Sequence, residues 1–258
     1  MNVFCRTVML ILLFTGIAQA QTITFVCENK QDVPTIMGNT TEVEDQKPGM
    51  GVEAVRMLEK ELGMTIVLKR LPWKRCMKEL ADGKADGLFT ASYKEKRKKY
   101  GKYPEKDGQV DVSRRYSSSS YAFYRLKSSP LDFTGKNYGV FTGKIGGPRG
   151  YSIIDDLKAK GLKMDESPST EIDFKKLMGK RLQAVAAIES NGDYFLTKNS
   201  EFSENIEKMK PLIVEKPYYF MLSHQFYDKN PGMAEKIFDT IAEIRENAEY
   251  QNKLADYL

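Results

Sequence analysis

The chain has 258 residues, 41% hydrophobic and 29% charged, with 40 Lys+Arg against 35 Asp+Glu, three Cys, one His and a formal charge of +5. So slight a cationic excess, spread along the chain, argues against a nucleic-acid footprint, and a single His with no close Cys pair argues against a metal centre. The length suits one large domain or two of about a hundred residues each.

In chain order, Arg6 precedes the apolar run Val8–Ala18, and Ala18-Gln19-Ala20 follows it. That is the order of a secretory signal: cation, apolar stretch, small-x-small cleavage site. The run is shorter than the roughly 18–20 residues that a spanning helix needs. Cleavage is expected after Ala20, leaving residues 21–258 to work outside the cytoplasm. Residues 1–20 carry one Arg and no acid, so the remainder keeps a net charge of +4.

Thr22–Cys27 is β-branched and aromatic and reads as a strand. A polar loop ends at Lys47-Pro48-Gly49, and Gly51–Leu62 places Val52, Val55, Leu58 and Leu62 at helical spacing, with Gly63 as a stop. Thr65–Leu68 is the next strand, Pro72 opens a helix over Trp73–Ala81, and Gly87–Thr90 is a third, short strand. Strands and helices alternating on short connections predict a parallel α/β sheet. Cys27 then ends the first strand and Cys76 sits in the first turn after the second, so the two thiols share one sheet edge. In an oxidising compartment a disulfide between them is expected, the alternative being two buried free thiols.

The pattern restarts with an expected strand at Tyr138–Phe141, a glycine-rich turn over Thr142–Gly150 and a helix over Tyr151–Lys160. A short strand at Leu162–Met164, a helix capped by Thr170 and Asp173, and a buried strand at Leu182–Ile188 complete a second, smaller unit. Tyr116–Tyr124 and Ile213–Ser223 are aromatic, β-prone segments suited to crossing between units. From Pro231 to the end, Ala234, Ile237, Ile241 and Ile244 fall in helical phase.

Several stretches, taken in order, resemble the bacterial extracellular solute-binding proteins of the polar amino-acid type, family 3. They are Pro48-Gly-Met-Gly-Val-Glu-Ala-Val55, Leu71-Pro-Trp73-Lys-Arg75, Leu80-Ala-Asp-Gly83-Lys-Ala-Asp86-Gly87 and Ser92-Tyr-Lys-Glu-Lys-Arg97. Gly139-Val-Phe-Thr-Gly143 and Leu177-Met-Gly-Lys-Arg181 extend the likeness into the second half. The resemblance implies a type II periplasmic-binding-protein-like α/β fold: two lobes joined by two crossing strands, with a ligand cleft between them. Lobe one is then residues 21–117 plus 219–258 and lobe two residues 118–218, which brings the C-terminal helices back to the first lobe.

By the same resemblance Arg97 clamps a ligand carboxylate, which suits the planar, bidentate guanidinium; a solvated basic face among Lys94, Lys96, Lys98 and Lys99 would produce the same letters. Thr90 and Ser92 match hydroxyl donors at a strand end, or else an ordinary helix cap. Thr142 and Gly143 match a lobe-two anion loop; Glu189 lies near the acid that receives an ammonium, or else is an exposed loop acid; Trp73 and Arg75 face the cleft rim, with core packing the alternative for Trp73. His224 is assigned no role.

The implied function is non-catalytic capture of a small, carboxylate-bearing, amino-acid-like ligand in the periplasm and its delivery to a membrane transporter of the ABC type. No cofactor is implied, and a monomer is expected. The alternatives are a ligand sensor that docks on a membrane receptor and, further off, a cleft hydrolase. Against an enzyme, the chain has no G-x-S-x-G elbow, Walker loop or H-E-x-x-H.

Overall fold

A computed structural model describes residues 22–257. The expected signal segment and its cleavage site lie outside the described residues.

The chain runs β1 (Thr22–Glu28), α1 (Met50–Leu62), β2 (Thr65–Leu71), α2 (Trp73–Ala81) and β3 (Gly87–Ser92), as the alternation of periods predicts. A small hairpin of β4 (Glu105–Lys106) and β5 (Gln109–Val110) leads to β6 (Ser117–Leu126), the first crossing segment. Then come β7 (Lys144–Pro148), α3 (Ser152–Ala159), β8 (Lys163–Ser167), α4 (Thr170–Met178), β9 (Ala184–Ile188), α5 (Glu189–Lys198), α6 (Ser200–Asn205) and β10 (Ile206–Lys208). The second crossing strand, β11 (Val214–Leu222), is followed by α7 (His224–Lys229), α8 (Pro231–Glu246) and α9 (Ala248–Ala255).

One sheet carries the molecule, in the order β2-β1-β3-β11-β6-β9-β7-β8, with β10 also on β6. β1 is parallel to β2 and β3, and β7 is parallel to β8 and β9. The crossing strands are antiparallel to their neighbours: β11 pairs with β3 over Tyr218–Leu222 and with β6 over Val214–Tyr218.

Alternation along each strand sends successive side chains to opposite faces. In the first half Phe25 joins Val55, Leu58, Phe89, Phe220 and Ile241 on one face, while Val26 joins Trp73, Leu80 and Leu88 on the other. In the second half Ala184, Ala186 and Ile188 of β9 face Phe123, Ile145 and Leu157; Val185 and Ala187 face Phe174 and Phe202. β9 is thus buried on both faces, and its unbroken apolar run reads accordingly. α8 and α9 pack on α1.

Two expectations need correction. The strand expected at Tyr138–Phe141 is a single 3-10 turn over Tyr138–Val140, and the supposed glycine turn contains β7. Its glycines do not mark a bend. A Cβ at Gly146 would sit 2.6 Å from Leu182 Cδ1 and one at Gly147 2.7 Å from Ile154 Cδ1, so neighbours on the two sides leave no room for a side chain. The other correction concerns Cys27 and Cys76, which are both buried and free. They do share a sheet edge, but the Cys76 thiol donates to the Cys27 carbonyl at 3.2 Å and to the Leu71 carbonyl at 3.3 Å in place of a disulfide.

Candidate functional site

The C-terminal ends of β1 and β3, the first turns of α2 and α3, and the middle of both crossing strands converge on one cavity of about 350 Å³, a figure that includes its opening to solvent. Ligands in open α/β sheets bind at these strand ends. β1 and its loop supply Glu28, Asp32 and Ile36; β3 supplies Phe89, Thr90 and Ser92. Trp73 begins α2, Tyr151 immediately precedes α3 and Ser152 begins it, Tyr121 comes from β6 and Tyr218 from β11.

Arg97 ends the 3-10 turn that follows β3 and is 6% exposed. One guanidinium nitrogen donates to the Ser92 carbonyl at 2.9 Å and to Ser92 Oγ at 3.0 Å, and the other terminal nitrogen donates to the Gly150 carbonyl at 3.0 Å. The group lies 5.4 Å from the centre of the Trp73 ring, within cation–π range. Tyr103 Oη donates to the same Ser92 carbonyl at 2.9 Å, which fixes the strand end that aims the arginine. The surrounding lysines do not share this burial: Lys96 and Lys99 are exposed, and Lys96 pairs with Asp155. Position alone separates Arg97 from its basic neighbours.

The cavity wall opposite β3 in sequence comes from α3. Ser92 Oγ and Ser152 Oγ are 2.8 Å apart, and Lys216 Nζ on β11 donates to Ser152 Oγ at 2.8 Å. Lys216 also pairs with Asp156 one turn along α3, and Lys94 pairs with that carboxylate too. Burial pulls the Lys216 ammonium below its ordinary range against the pull of Asp156. Burial alone would raise Asp156; hydrogen bonds from Lys216 and Lys94 outweigh it and hold the carboxyl low.

On the β1 side, Tyr151 Oη donates to Glu28 Oε2 at 2.5 Å. Burial pushes the Glu28 carboxyl up to about 8 and that of Asp32 to about 7. Tyr121 and Tyr218 join their hydroxyls at 2.8 Å, and burial raises both phenols, so they remain neutral.

Of the residues singled out in the sequence, Trp73, Thr90, Ser92 and Arg97 meet in this cavity. Arg75 does not: its side chain is 64% exposed and pairs with Glu79 at 3.6 Å. Thr142 is exposed and the Gly143 N–H donates to Gln183 Oε1 at 2.7 Å, because the true strand is β7 and the loop at the cavity therefore begins after Pro148. Glu189 starts α5 away from the cavity, where it accepts from Lys208 Nζ at 2.7 Å. The chain around it instead touches the β1 loop: Ser190 Oγ donates to the Val33 carbonyl at 2.6 Å, and the Val33 N–H donates to Asn191 Oδ1 at 3.4 Å.

Sequence reasoning missed Glu28, Asp32, Tyr151 and Ser152. A signal for the acids was present, since Glu28 directly follows the apolar strand and Asp32 stands four residues on. Tyr151 and Ser152 became visible only once β7 was placed.

The family described as bacterial extracellular solute-binding proteins, family 3, matches residues 34–258. No curated protein sequence matches the chain. A histidine kinase sensor domain with similarity to periplasmic binding proteins superposes with TM-score 0.74 at 17% identity, over 93% of this chain and 96% of that one. An ancestral arginine-binding protein bound to glutamine gives 0.72 at 17%, over 93% and 99%. The ligand-binding core of GluR0 from Nostoc punctiforme, in complex with L-glutamate, gives 0.69 at 14%, over 92% and 99%. These likenesses are of fold, and the fold is the type II periplasmic-binding-protein-like one.

Proposed function

Because the chain belongs to the bacterial extracellular solute-binding proteins, family 3, we propose that it captures a small, carboxylate-bearing, amino-acid-like ligand in this cavity without chemical change and delivers it to a membrane transporter. Arg97 carries the reading. Its guanidinium has five N–H donors, three of which are taken by Ser92 and Gly150, and two remain for a carboxylate inside a buried site. Thr90 and Ser92 add hydroxyls beside it, and Trp73 gives the guanidinium a flat wall.

Capture is read as closure of two lobes, residues 21–117 with 219–258 against 118–218, after removal of residues 1–20 and release into the periplasm. The Arg97–Gly150, Ser92–Ser152 and Val33–Ser190 bonds, all between the proposed lobes, are the contacts that closure would make. A second reading, docking on a receptor as a sensor, is favoured by the likeness to the histidine kinase sensor domain.

Thermal unfolding of residues 21–258 against amino acids, dicarboxylates, polyamines and short peptides tests the proposal. A ligand at about a hundred times its dissociation constant adds about 2.7 kcal/mol, or roughly 5–10 °C for a chain of this size. One such rise, absent in Arg97→Ala, is the expected result. A flat panel in ligand-free protein would overturn it. With a ligand in hand, stimulation of a permease's ATP hydrolysis against a change in receptor activity separates transport from sensing.

A further inference from the structure

Lys216 stands on β11 opposite Ser119 of β6 and is only 9% exposed. An ammonium in that position is costly unless its donors are met. One goes to Asp156, one to Ser152 Oγ at 2.8 Å, and the group lies 5.4 Å from the centre of the Tyr121 ring. Asp156 answers the charge; the bond to Ser152 is a separate commitment, and it leads to the cavity. Ser152 lines that wall with Ser92, and the two hydroxyls, 2.8 Å apart, are both buried. A hydroxyl has one proton to give and two lone pairs with which to accept. Lys216 fills a lone pair of Ser152, and Arg97 fills one of Ser92 at 3.0 Å. Of the two serines, one donates to the other. Whichever it is, the accepting serine then has both lone pairs taken and its own proton unused. That proton has no acceptor among the described residues, and both serines line the cavity.

We propose that Lys216 is a positioning residue for the anion that Arg97 holds: acting through Ser152, it makes the serine pair present a proton to the ligand's carboxylate. The inference rests on the carboxylate-capture reading and adds to it a residue that never touches the ligand. Donation from a cation polarises the hydroxyl that receives it, so a pair fed by Lys216 at one end and Arg97 at the other is a stronger donor than two serines alone. Without Lys216 the wall gains an open lone pair, which repels an anion. The relay also joins three parts of the chain. Lys216 is on a crossing strand, Ser152 is in proposed lobe two and Ser92 in proposed lobe one, so the Ser92–Ser152 bond that closure makes is the one that completes it.

A double-mutant cycle in affinity tests this. Wild type, Lys216→Met, Ser152→Ala and the double variant are titrated calorimetrically with L-glutamate, L-lysine, L-phenylalanine and succinate. For every probe that wild type binds, each single variant should weaken binding about tenfold, the scale of a hydrogen bond to a charged group. The double variant should be no weaker than either single one, because both remove the same relay. A lysine that merely anchors α3 to β11 would lower the unfolding midpoint, and any loss of affinity it caused would add to that of Ser152→Ala. Additive losses, or wild-type affinity in either single variant, would overturn the inference and leave carboxylate capture standing so long as Arg97→Ala still abolishes binding. Binding that survives Arg97→Ala, or no binding by any of the four probes, would take down both. If Lys216→Met fails to fold, Ser152→Ala still decides against the relay by binding as wild type does.

Discussion

The Cys27 and Cys76 thiols are buried beside each other's strand and helix ends, and burial raises both well above the ordinary range, Cys27 to about 12. Thiolate is the reactive form, so both should be inert at neutral pH. Treated with iodoacetamide at pH 8, the native protein should gain no adduct at either position, and after unfolding without reductant it should gain both, as read by peptide mass spectrometry. Two unmodified, linked cysteines in the unfolded protein would refute the free-thiol state. Here the sequence was legible in part. Period and spacing located Cys27 at a strand end and Cys76 in the next helix's first turn, but which way a sulfur points depends on side-chain packing that spacing does not encode. The same limit explains the acids: Arg97 stood out through a resemblance, whereas Glu28 and Asp32 look like loop acids until burial distinguishes them.

At the scale of elements, β7 and α3 together decide the second wall of the cavity. Lys144-Ile-Gly-Gly-Pro148 reads as a turn because glycine and proline usually punctuate; packing from two sides makes it a strand. That single misreading moved the expected loop from Arg149–Tyr151 to Thr142–Gly143. With α3 in place, Asp156 is the anion for two lysines, Lys94 and the buried Lys216. Asp156→Ala leaves Lys216 unanswered inside the protein and should cost about 2–3 kcal/mol, allowing for the partly exposed carboxylate. Lys216→Met added to that variant should recover most of the loss. Urea unfolding of the two single variants and the double variant measures this, and additive losses would show that the pair is not coupled.

For the molecule as a whole, the alternation of strand and helix made two α/β units readable, because each unit's periodicity is local. That the units share one sheet was not readable, since no local pattern records that β11 bonds to β3 and to β6. Stability is likewise a property of the whole. Asp173, fully buried in α4 with neither carboxyl oxygen hydrogen-bonded among the described residues, is pushed by burial to about 7, joining Glu28 and Asp32. A carboxyl raised in the folded state keeps its proton where the unfolded chain has lost it, so its contribution is full at low pH and fades as pH rises through neutrality. The ligand-free midpoint should therefore fall between about pH 5 and about pH 8. Asp173→Asn should be the more stable protein at the alkaline end by about 2–4 °C per kcal/mol gained, with the difference shrinking toward pH 5. A wild-type midpoint that rises over this interval would contradict the burial argument.

β11 is stitched to β6 up to Tyr218 and to β3 from Tyr218 onward, with its one register shift later, between Tyr219 and Met221. In the closure proposed above, a strand bonded continuously from one side to the other would act as a leaf spring and not as a pin joint, with relative movement of the halves stored as twist shared over many rungs. Tyr218 sits at the changeover with its hydroxyl joined to Tyr121 in the cavity wall. Under that proposal bending would be felt at the place a ligand would occupy, which makes the cavity's shape and the angle between the halves one mechanical variable.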